Sequence, residues 1–393
     1  MITVEEAKLI IVQNVDEIAE TISIPVKDAR GFRLSEPIYS PIDLPPFNQS
    51  NVDGYAVNGS FAGWNVVSEI KAGDAAGIHL KHGEAARIFT GAMVPSGSDA
   101  VIMQEKIKRN ENNILIMDGD FKVGEHIRKK GSQIKEGELA LPGNSIISPS
   151  VIGFISSMGL DRVKVFKKPE IVLLITGNEL QESGTELRPG NVYESSSAAL
   201  SAAVNAIGLS VKEIVFVKDE KRKLADAVGK AIKESDLLLI SGGVSVGDYD
   251  FVNEVLQENE TETLFYKVSQ KPGKPLLYGR NGRVNIFGLP GNPASALTCF
   301  YEYVYPCLRK QLGHTDLFLK KLKLPVESSI NKKKGLSLFL RAVASESTVA
   351  SLDGQESFKM RSFADANAFI YLPLEMENVA AGELVEVHLL PAF

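Results

Sequence analysis

Between about residue 168 and residue 312, apolar strand-like runs alternate with helical patterns. The runs 171–175 and 237–240 consist entirely of Leu, Ile and Val, which is typical of strands buried on both faces. Helical patterns and further apolar segments alternate at about 195–207, 211–217, 220–233, 253–258, 264–268, 284–288 and 293–311. Successive units of this kind predict a mainly parallel sheet with helices on both faces, which is a three-layer α/β/α domain.

The region that precedes it is predicted to be rich in β-strands. Thr3 and Glu6 form a capping box for a first helix of about 15 residues. Between about residues 22 and 150, short apolar runs are separated by Gly, Pro, Asn and Asp turns. Among these runs, 85–89 and 100–103 are predicted strands, and 114–116 is the predicted return strand of a hairpin.

The region that follows is also predicted to be all-β. Four segments beyond about residue 316 are predicted to form a small β-barrel-like domain: 317–326, 336–342, 369–372 and 384–390. We therefore predict an N-terminal region 1–167 with an inserted β-rich domain at about 45–140, an α/β domain 168–312 and a C-terminal β domain 313–393.

Composition and charge exclude several classes of protein. The formal net charge of −6 over 393 residues argues against general binding to nucleic acid or acidic membranes. The only cysteines, Cys299 and Cys307, lie in a predicted helix, so we expect buried thiols in a reducing compartment rather than a disulfide scaffold. The five histidines are scattered without metal-ligand spacing, so we expect no zinc site. Because we find neither a signal-peptide pattern nor an apolar run of about 18 residues, we expect a soluble cytoplasmic protein.

A glycine-rich loop, 241–248, follows the second buried strand, at a strand end where α/β sheets bind ligands. Glycines let backbone N–H groups approach a phosphate closely, and serine hydroxyls add further donors. The residues that we assign to phosphate are Ser241, Gly242, Gly243 and Ser245. Asp248 and Asp250 place carboxylates beside this anion site, as a Mg²⁺ ion that bridges phosphates requires. A tight turn that merely lets a helix pack is the weaker interpretation, because three other glycine loops occur at strand ends.

Those three loops are Thr176-Gly177-Asn178-Glu179, Lys271-Pro272-Gly273-Lys274-Pro275 and Leu289-Pro290-Gly291-Asn292-Pro293-Ala294-Ser295. Two ammonium groups on the stiff turn between Lys271 and Lys274 are suited to a small oxyanion, although a solvated charge pair is the better interpretation of that segment alone. Pro293 suits the first turn of a helix and leaves N–H groups there for another anion. A rigid helix entry explains Pro290 and Pro293 equally well.

A fifth loop, 44–57, contains Asp53 directly before Gly54. This aspartate could act as a general base or contact a metal. From this stretch alone, an Asp-Gly turn before a strand is the better interpretation. The segments 90–95 and 104–105 belong to the same β-rich region and could face the same site.

Seven motifs, taken in order, resemble those of the MoeA family of molybdopterin molybdenumtransferases. They are Asn-Gln-Ser-Asn-Val-Asp-Gly-Tyr-Ala (48–56), Thr-Gly-Ala (90–92), Ala-Val-Ile-Met-Gln-Glu (100–105), Thr-Gly-Asn-Glu-Leu (176–180), Ser-Gly-Gly-Val-Ser-Val-Gly (241–247), Lys-Pro-Gly-Lys-Pro (271–275) and Leu-Pro-Gly-Asn-Pro-Ala-Ser (289–295). The resemblance covers essentially the whole chain, and seven motifs in the same order are not expected by chance.

The resemblance implies a Mg²⁺-dependent reaction that inserts molybdate into the dithiolene of adenylylated molybdopterin, releases AMP and forms molybdenum cofactor. It also implies a homodimer of elongated, four-part subunits. The α/β domain would bind the pterin nucleotide, and the β-rich N-terminal part of the partner subunit would help to close the cleft. Transient contact with an adenylyltransferase or with molybdoenzymes is a further expectation, whereas binding to nucleic acid or to a membrane is not expected.

The resemblance also implies roles for individual residues. The expected catalytic residues are Asp53, Thr90, Glu179, Asp219 and Asp250, of which Glu179 and Asp250 would hold Mg²⁺. The expected substrate-binding residues are Ser241, Gly242, Gly243, Ser245, Lys271, Lys274, Pro290, Pro293, Ser295 and Arg341. Within that set, Lys271, Lys274, Ser295 and Arg341 resemble the family's molybdate contacts.

Three positions depart from the family pattern. Asn178 replaces an aspartate, Gln133 replaces an acidic residue, and Glu194-Ser195-Ser196 replaces an Asp-Ser-Asn-like triplet. An amide in place of a carboxylate removes a Mg²⁺ ligand and about one unit of negative charge. One alternative is therefore a pterin-binding scaffold with reduced catalysis. Another is a nucleotide hydrolase of the competence-damage type, which would share only the central domain.

Overall fold

The computed structural model describes residues 1–59, 63–75, 77–117, 120–243 and 251–391. The chain divides into two compact units: one combines residues 1–20 with the chain from 166 onward, and the other comprises residues 21–165. Within the described residues, no helix is both long enough and apolar enough to cross a membrane. The boundaries of the three predicted domains stay predictions.

Helix α1 (Val4–Asn14) has the predicted capping box. The hydroxyl of Thr3 accepts a bond from the N–H of Glu6 at 3.1 Å, and the carboxylate of Glu6 accepts one from the N–H of Thr3 at 2.8 Å. The helix has 11 residues. Its buried side chains, Val4, Ala7 and Ile11, pack in the core of the α/β region. The first helix thus belongs to the unit that contains the α/β sheet.

The unit formed by residues 21–165 consists mainly of short strands. They are β1 (Thr21–Pro25), β2 (Ile38–Tyr39), β3 (Gln49–Ser50), β4 (Gly54–Val57), β5 (Trp64–Ile70), β6 (Glu84–Ile88), β7 (Ala100–Met103), β8 (Ile107–Asn110), β9 (Asn113–Ile116), β10 (Ile127–Arg128), β11 (Leu139–Leu141) and β12 (Arg162–Phe166), with helix α2 (Pro149–Ser157). Six of these strands form a sheet in the order β7-β4-β6-β5-β9-β8. Because β8 and β9 pair antiparallel, the predicted hairpin is confirmed.

The α/β region alternates strands and helices, as its sequence predicts. Its elements are β13 (Ile171–Thr176), β14 (Leu180–Gln181), β15 (Val192–Tyr193), α3 (Ser196–Ala206), β16 (Val211–Val217), α4 (Lys221–Glu234), β17 (Leu237–Ser241), α5 (Phe251–Glu258), β18 (Glu262–Tyr266), β19 (Gln270–Lys271), β20 (Leu277–Asn281), β21 (Val284–Leu289), α6 (Pro293–Cys299), a π-helical turn (Phe300–Val304) and α7 (Tyr305–Gln311). The predicted helix 293–311 is thus divided by the π-helical turn.

The central sheet has the strand order β16-β13-β17-β21-β20-β18. The first four strands are parallel to one another, so the mainly parallel sheet is confirmed. The alternation of patterns did not predict β20, which pairs antiparallel with both β21 and β18. The two-residue turn Gly282-Arg283 joins β20 to β21, and the sequence Asn281-Gly282 at its start is a hairpin signal that could have revealed this strand.

Alternate residues of β13 face opposite layers of the fold. Leu173 and Ile175 pack in the core that includes side chains of α1, α3 and α6. Val172 and Leu174 pack in the core that includes side chains of α4 and α5. Helices therefore cover both faces of the sheet, as predicted, and the loops at the strand ends remain free to form a site.

The C-terminal part of the chain, together with β19, forms a third six-stranded sheet. Its further elements are β22 (Lys321–Pro325), β23 (Ser337–Ala344), β24 (Val349–Ser351), α8 (Arg361–Asp365), β25 (Ala368–Leu372) and β26 (Leu384–Leu389). The strand order is β19-β23-β25-β26-β22, with β24 paired to β23. An isolated bridge joins Val326, just after β22, to Val349 in β24. The barrel-like form of this domain stays a prediction, which the bridge supports.

Candidate active site

A cavity of about 590 Å³, which we call the strand-end cavity, lies where β13, β17 and β21 end. Parallel strands bring their carboxyl ends to one edge of the sheet, so their loops meet there. The cavity is lined by these predicted site residues: Glu179, Asp219, Ser241, Gly242, Gly243, Pro290 and Pro293. Sequence positions as far apart as 179 and 293 are thus brought to one site.

The Ser241-Gly242-Gly243 segment passes very close to the end of β13. Gly242 has a φ of +97°, and a Cβ atom there would lie 2.0 Å from the carbonyl oxygen of Thr176. Only glycine fits this position without moving the backbone. The N–H of Gly242 donates to the carbonyl oxygen of Leu289 in β21 at 3.4 Å. Residues 244–250 lie outside the described residues, so the predicted roles of Ser245, Asp248 and Asp250 stay predictions.

Asp219 is fixed by two contacts with the Thr-Gly-Asn-Glu loop. The hydroxyl of Thr176 donates to its carboxylate, and its own N–H donates to the side-chain oxygen of Asn178 at 3.2 Å. An amide oxygen can accept this bond as a carboxylate oxygen does. Asn178 therefore makes an acceptor contact that the usual aspartate could also make, although it brings no negative charge.

The second variant loop, Glu194-Ser195-Ser196, also lines the cavity. The carboxylate of Glu194 accepts a bond from the N–H of Ser197 at 2.8 Å and another from its hydroxyl. Glu194 thereby bonds the first turn of α3, where N–H groups lack helical partners. Gln133, the third variant position, is an exposed residue of the other compact unit.

The Pro290–Pro293 turn forms another wall of the cavity. Pro293 is the first residue of α6, so its predicted position in the first helical turn is confirmed. The side chain of Asn292 does not cap this helix. Instead it donates to the hydroxyl of Ser357 at 3.1 Å, which ties the turn to the C-terminal part of the chain.

The four predicted molybdate contacts do not line the cavity among the described residues. Lys271, in β19, and Lys274 are exposed, whereas Ser295 is 2% exposed. A Cβ at Gly273 would lie 2.5 Å from the sulfur of Cys299 and 3.7 Å from the carbonyl oxygen of Ser295. The turn between the two lysines therefore packs against α6, close to Ser295.

Arg341, the fourth of these residues, lies in β23 and is 1% exposed. Its Nη2 donates to the carbonyl oxygens of Gly354 at 2.7 Å and Glu356 at 3.2 Å. Its Nε and Nη1 have no hydrogen-bond partner among the described residues. Buried donors are normally satisfied, so two guanidinium nitrogens remain for an acceptor such as an oxyanion.

Asp53 and Thr90 lie in the unit formed by residues 21–165 and contact each other directly. Gly54, the first residue of β4, is opposite Ile88, the last residue of β6. This pairing brings Asp53, just before β4, close to Thr90, just after β6. The N–H and the hydroxyl of Thr90 donate to Asp53 Oδ1 at 2.8 and 2.7 Å. The bond from the Thr90 N–H, helped by its hydroxyl and by the charge of Arg87, lowers the pKa of Asp53. Asp53 thus remains ionised at neutral pH.

Two aromatic residues of the cavity were not predicted from the sequence. Tyr193 ends β15, and Phe358 lies between β24 and α8. Neither belongs to one of the seven motifs. Only the tyrosine, directly before Glu194, adjoins one of the three positions that depart from the family pattern.

Three family models match successive parts of the chain. "MoeA N-terminal region (domain I and II)" matches residues 2–159, "Probable molybdopterin binding domain" matches residues 173–310, and "MoeA C-terminal region (domain IV)" matches residues 323–390. A molybdopterin molybdenumtransferase of Staphylococcus epidermidis is 33% identical over 400 residues, which cover 98% of this chain and 95% of that protein. The chain belongs to the MoeA family.

Further MoeA-family proteins extend this comparison. A molybdopterin molybdenumtransferase of Haemophilus influenzae is 31% identical over 398 residues, with 98% of each chain covered. A solved structure of a molybdopterin biosynthesis MoeA protein from Pyrococcus horikoshii has a TM-score of 0.83 and 32% identity, and covers 100% of both chains. The predicted family is confirmed, and with it the multi-domain fold with mixed sheets and the prediction of a transferase. Because MoeA regions match on both sides of the central domain, a hydrolase that shares only that domain is disfavoured.

Proposed function

We propose that this protein inserts molybdate into adenylylated molybdopterin, with release of AMP and formation of molybdenum cofactor. The observation that carries the proposal is the strand-end cavity, where the Ser241–Gly243 loop lies beside the carboxylates of Glu179 and Asp219. Its volume of about 590 Å³ is within the range of roughly 300–1,000 Å³ that is usual for small-molecule sites.

The phosphates of the substrate would lie against the Ser241–Gly243 loop. Without Cβ atoms, Gly242 and Gly243 leave the backbone accessible to phosphate oxygens. Pro290 and Pro293, in the neighbouring turn where α6 begins, would line the cavity beside this loop. Thr176 and Asn178 hold Asp219 in one position. Its carboxylate would therefore restrict the orientations that the reacting phosphate group can adopt in the cavity.

The residues of the cavity fit a Mg²⁺ ion. Mg²⁺ is usually held by one or two carboxylates together with substrate phosphates and water, and the carboxylate residues Glu179 and Asp219 both line the cavity. Among the described residues there is no group of three His, Cys, Asp or Glu that could hold a metal ion. Glu179, together with Asp250, would hold the ion. When bound, it would neutralise charge on the phosphoanhydride.

Molybdate would be held by the Lys271–Lys274 turn, which packs against α6, together with Ser295 and Arg341. Lys271 and Lys274 offer exposed ammonium groups, Ser295 lies beside their turn, and Arg341 has two unpartnered guanidinium nitrogens. Charge-assisted bonds to an oxyanion are stronger than neutral ones. In this proposal Asp53, with Thr90 as its positioning partner, acts in the hydrolysis of the anhydride.

The remaining expectations concern assembly and location. We propose a cytoplasmic homodimer in which the β-rich N-terminal region of the partner subunit closes the cleft. Brief contact with an adenylyltransferase or with molybdoenzymes would transfer substrate and product.

Release of AMP from adenylylated molybdopterin tests the proposed function. We expect release only when both molybdate and Mg²⁺ are present. Tight binding of the pterin nucleotide without AMP release at any Mg²⁺ concentration would instead support a scaffold with reduced catalysis. Molybdate-independent cleavage of a pyridine-nucleotide derivative would support the hydrolase.

A further inference from the structure

Two exposed aromatic rings line the strand-end cavity without any role in the proposed reaction. Phe358 is 64% exposed and Tyr193 is 45% exposed. A single exposed ring on a protein surface needs no explanation. Two such rings in the lining of one cavity are suited to a ligand that covers them, because flat rings pack favourably against aromatic faces.

The ring of Tyr193 is held on a small parallel ribbon. Tyr193 pairs with Gln181, as β15 pairs with β14, and its hydroxyl donates to the carbonyl oxygen of Thr185 at 2.7 Å. The hydroxyl proton is thus already engaged, and the faces of the ring remain available to a ligand. The bond also limits rotation of the side chain, which lowers the entropy lost on binding.

Phe358 is carried by a segment that is tied to the cavity wall. Its neighbour Ser357 accepts the hydrogen bond from Asn292 of the Pro290–Pro293 turn at 3.1 Å. On its other side, Lys359 bonds the carboxylate of Glu356 at 2.8 Å. The C-terminal part of the chain thereby contributes an aromatic ring to a cavity whose other described lining residues belong to the α/β region.

The lining of the cavity therefore combines two kinds of chemistry. The segment 241–243 and Asp219 present backbone, hydroxyl and carboxylate groups, whereas Phe358 and Tyr193 present ring carbons. A ligand that carries phosphates at one end and a planar ring at the other matches both. Purely inorganic anions would leave the aromatic rings uncovered.

We infer that Tyr193 and Phe358 bind a planar heteroaromatic ring of the ligand, while the Ser241–Gly243 loop binds its phosphates. The inference rests on the proposed function for the choice of ligand, because adenylylated molybdopterin has two such rings, adenine and pterin. Stacking recognises this shared chemistry rather than one ring. The two residues bind and position the ligand, and they take no part in bond breaking.

Equilibrium binding of AMP and of ribose 5-phosphate to Phe358→Ala tests the inference. Loss of one stacking partner should weaken AMP binding about 5- to 20-fold, while the affinity for ribose 5-phosphate, which has no ring to stack, stays unchanged. Phe358→Trp should retain AMP affinity. The matched control is Phe216→Ala, which removes a 62% exposed ring outside the described lining of the cavity and should affect neither ligand.

A pterin monophosphate used in the same titrations distinguishes the two rings. A loss of affinity for either AMP or the pterin, without a loss for ribose 5-phosphate, supports the inference and identifies the ring. Equal losses for all three ligands, or no loss for any, overturn it.

The proposed function can fail separately. If the wild type releases no AMP from adenylylated molybdopterin but Phe358→Ala still weakens AMP binding selectively, the reaction is wrong and the ring site stands. If AMP release occurs but Phe358→Ala has no effect on any ligand, the ring site is wrong and the reaction stands.

Discussion

Two clusters of charged groups in the same compact unit differ in whether protein or solvent surrounds them. In the first, which we call the closed cluster, Glu302 is 2% exposed and is bonded by Lys8 and His388. In the second, Glu179 and Asp219 line the strand-end cavity. Charges that are paired inside the protein become costly when one partner is removed, whereas charges that face a cavity are available to a ligand.

The closed cluster joins three segments that are distant in sequence. Lys8 lies in α1, Glu302 in the π-helical turn and His388 in β26. The second ring nitrogen of His388 bonds the carboxylate of Glu386 at 2.8 Å. Burial alone raises the pKa of Glu302, but the charges of Lys8 and His388 outweigh it and hold the pKa at about 2. These contacts fasten α1 and the C-terminal sheet to the helix that follows the Pro290–Pro293 turn.

Removal of the central charge should therefore produce the largest loss of stability. We expect Glu302→Ala to lower the free energy of unfolding by about 3–5 kcal/mol, because the part-buried Lys8 would lose its carboxylate partner and the buried His388 would keep only Glu386. Urea-induced unfolding measures the change. Glu302→Gln, which keeps the shape and one acceptor, should cost less. A loss below about 1 kcal/mol for Glu302→Ala would contradict the structural role of the cluster.

The backbone beneath the cavity should be the next most sensitive feature. Gly242→Ala would place a methyl group 2.0 Å from the carbonyl oxygen of Thr176, at a φ of +97°. We expect a loss of about 2–3 kcal/mol from strain and local rearrangement, together with weaker AMP binding. In the control Gly291→Ala, the new methyl group would meet only the Cα of Gly242, at 3.6 Å. Thermal unfolding of the two variants distinguishes them, and equal losses would argue against the tight approach.

The closed cluster should also make stability depend on pH in a defined direction. Burial lowers the pKa of His388, but Glu302 and Glu386 outweigh burial, so the net pKa is raised above 6.5. The stability from this protonation is fully present below the unfolded pKa of 6.5 and is lost as pH rises through the higher folded pKa. We therefore expect the wild type to be more stable than His388→Gln below pH 6.5, and this difference in the free energy of unfolding should shrink as the pH rises above 6.5. A difference that grows with pH would reverse the assignment.

In the strand-end cavity, loss of a charge should affect binding and catalysis but hardly affect stability. We expect Asp219→Asn to change the free energy of unfolding by no more than about 0.5 kcal/mol, since the amide still has an oxygen for the Thr176 hydroxyl. AMP release should fall at least roughly 10-fold, because the negative charge is gone. An unfolding loss comparable to that of Glu302→Ala would remove the distinction between the two clusters.

The strand-end cavity could be predicted from the sequence because its residues belong to loops with an identifiable physical requirement. Gly242 must avoid Thr176 and Pro293 begins a helix. The two loops follow β17 and β21, which the sequence predicts as apolar segments at 237–240 and 284–288. The alternation of strands and helices then places these loops at one edge of a sheet.

The closed cluster had no comparable signal. Lys8 and Glu302 are 294 residues apart, and Glu302 and His388 are 86 apart. A single charged residue within a helix or strand does not indicate whether it faces solvent or a buried partner. Phe358 is similar, since a phenylalanine in a loop outside any motif acquires its position only when the C-terminal sheet packs against the α/β region. Tertiary contacts, not local patterns, decide such positions.

The central claim is that the strand-end cavity carries the reaction. Its most direct test is the single-turnover rate at which Glu179→Gln releases AMP from adenylylated molybdopterin. Glu182→Gln is the control, because Glu182 lies in the same segment but is exposed and outside the described lining of the cavity. We predict a roughly 100-fold lower rate for Glu179→Gln and an unchanged rate for Glu182→Gln, in the presence of molybdate and Mg²⁺. Wild-type rates for Glu179→Gln would contradict the claim.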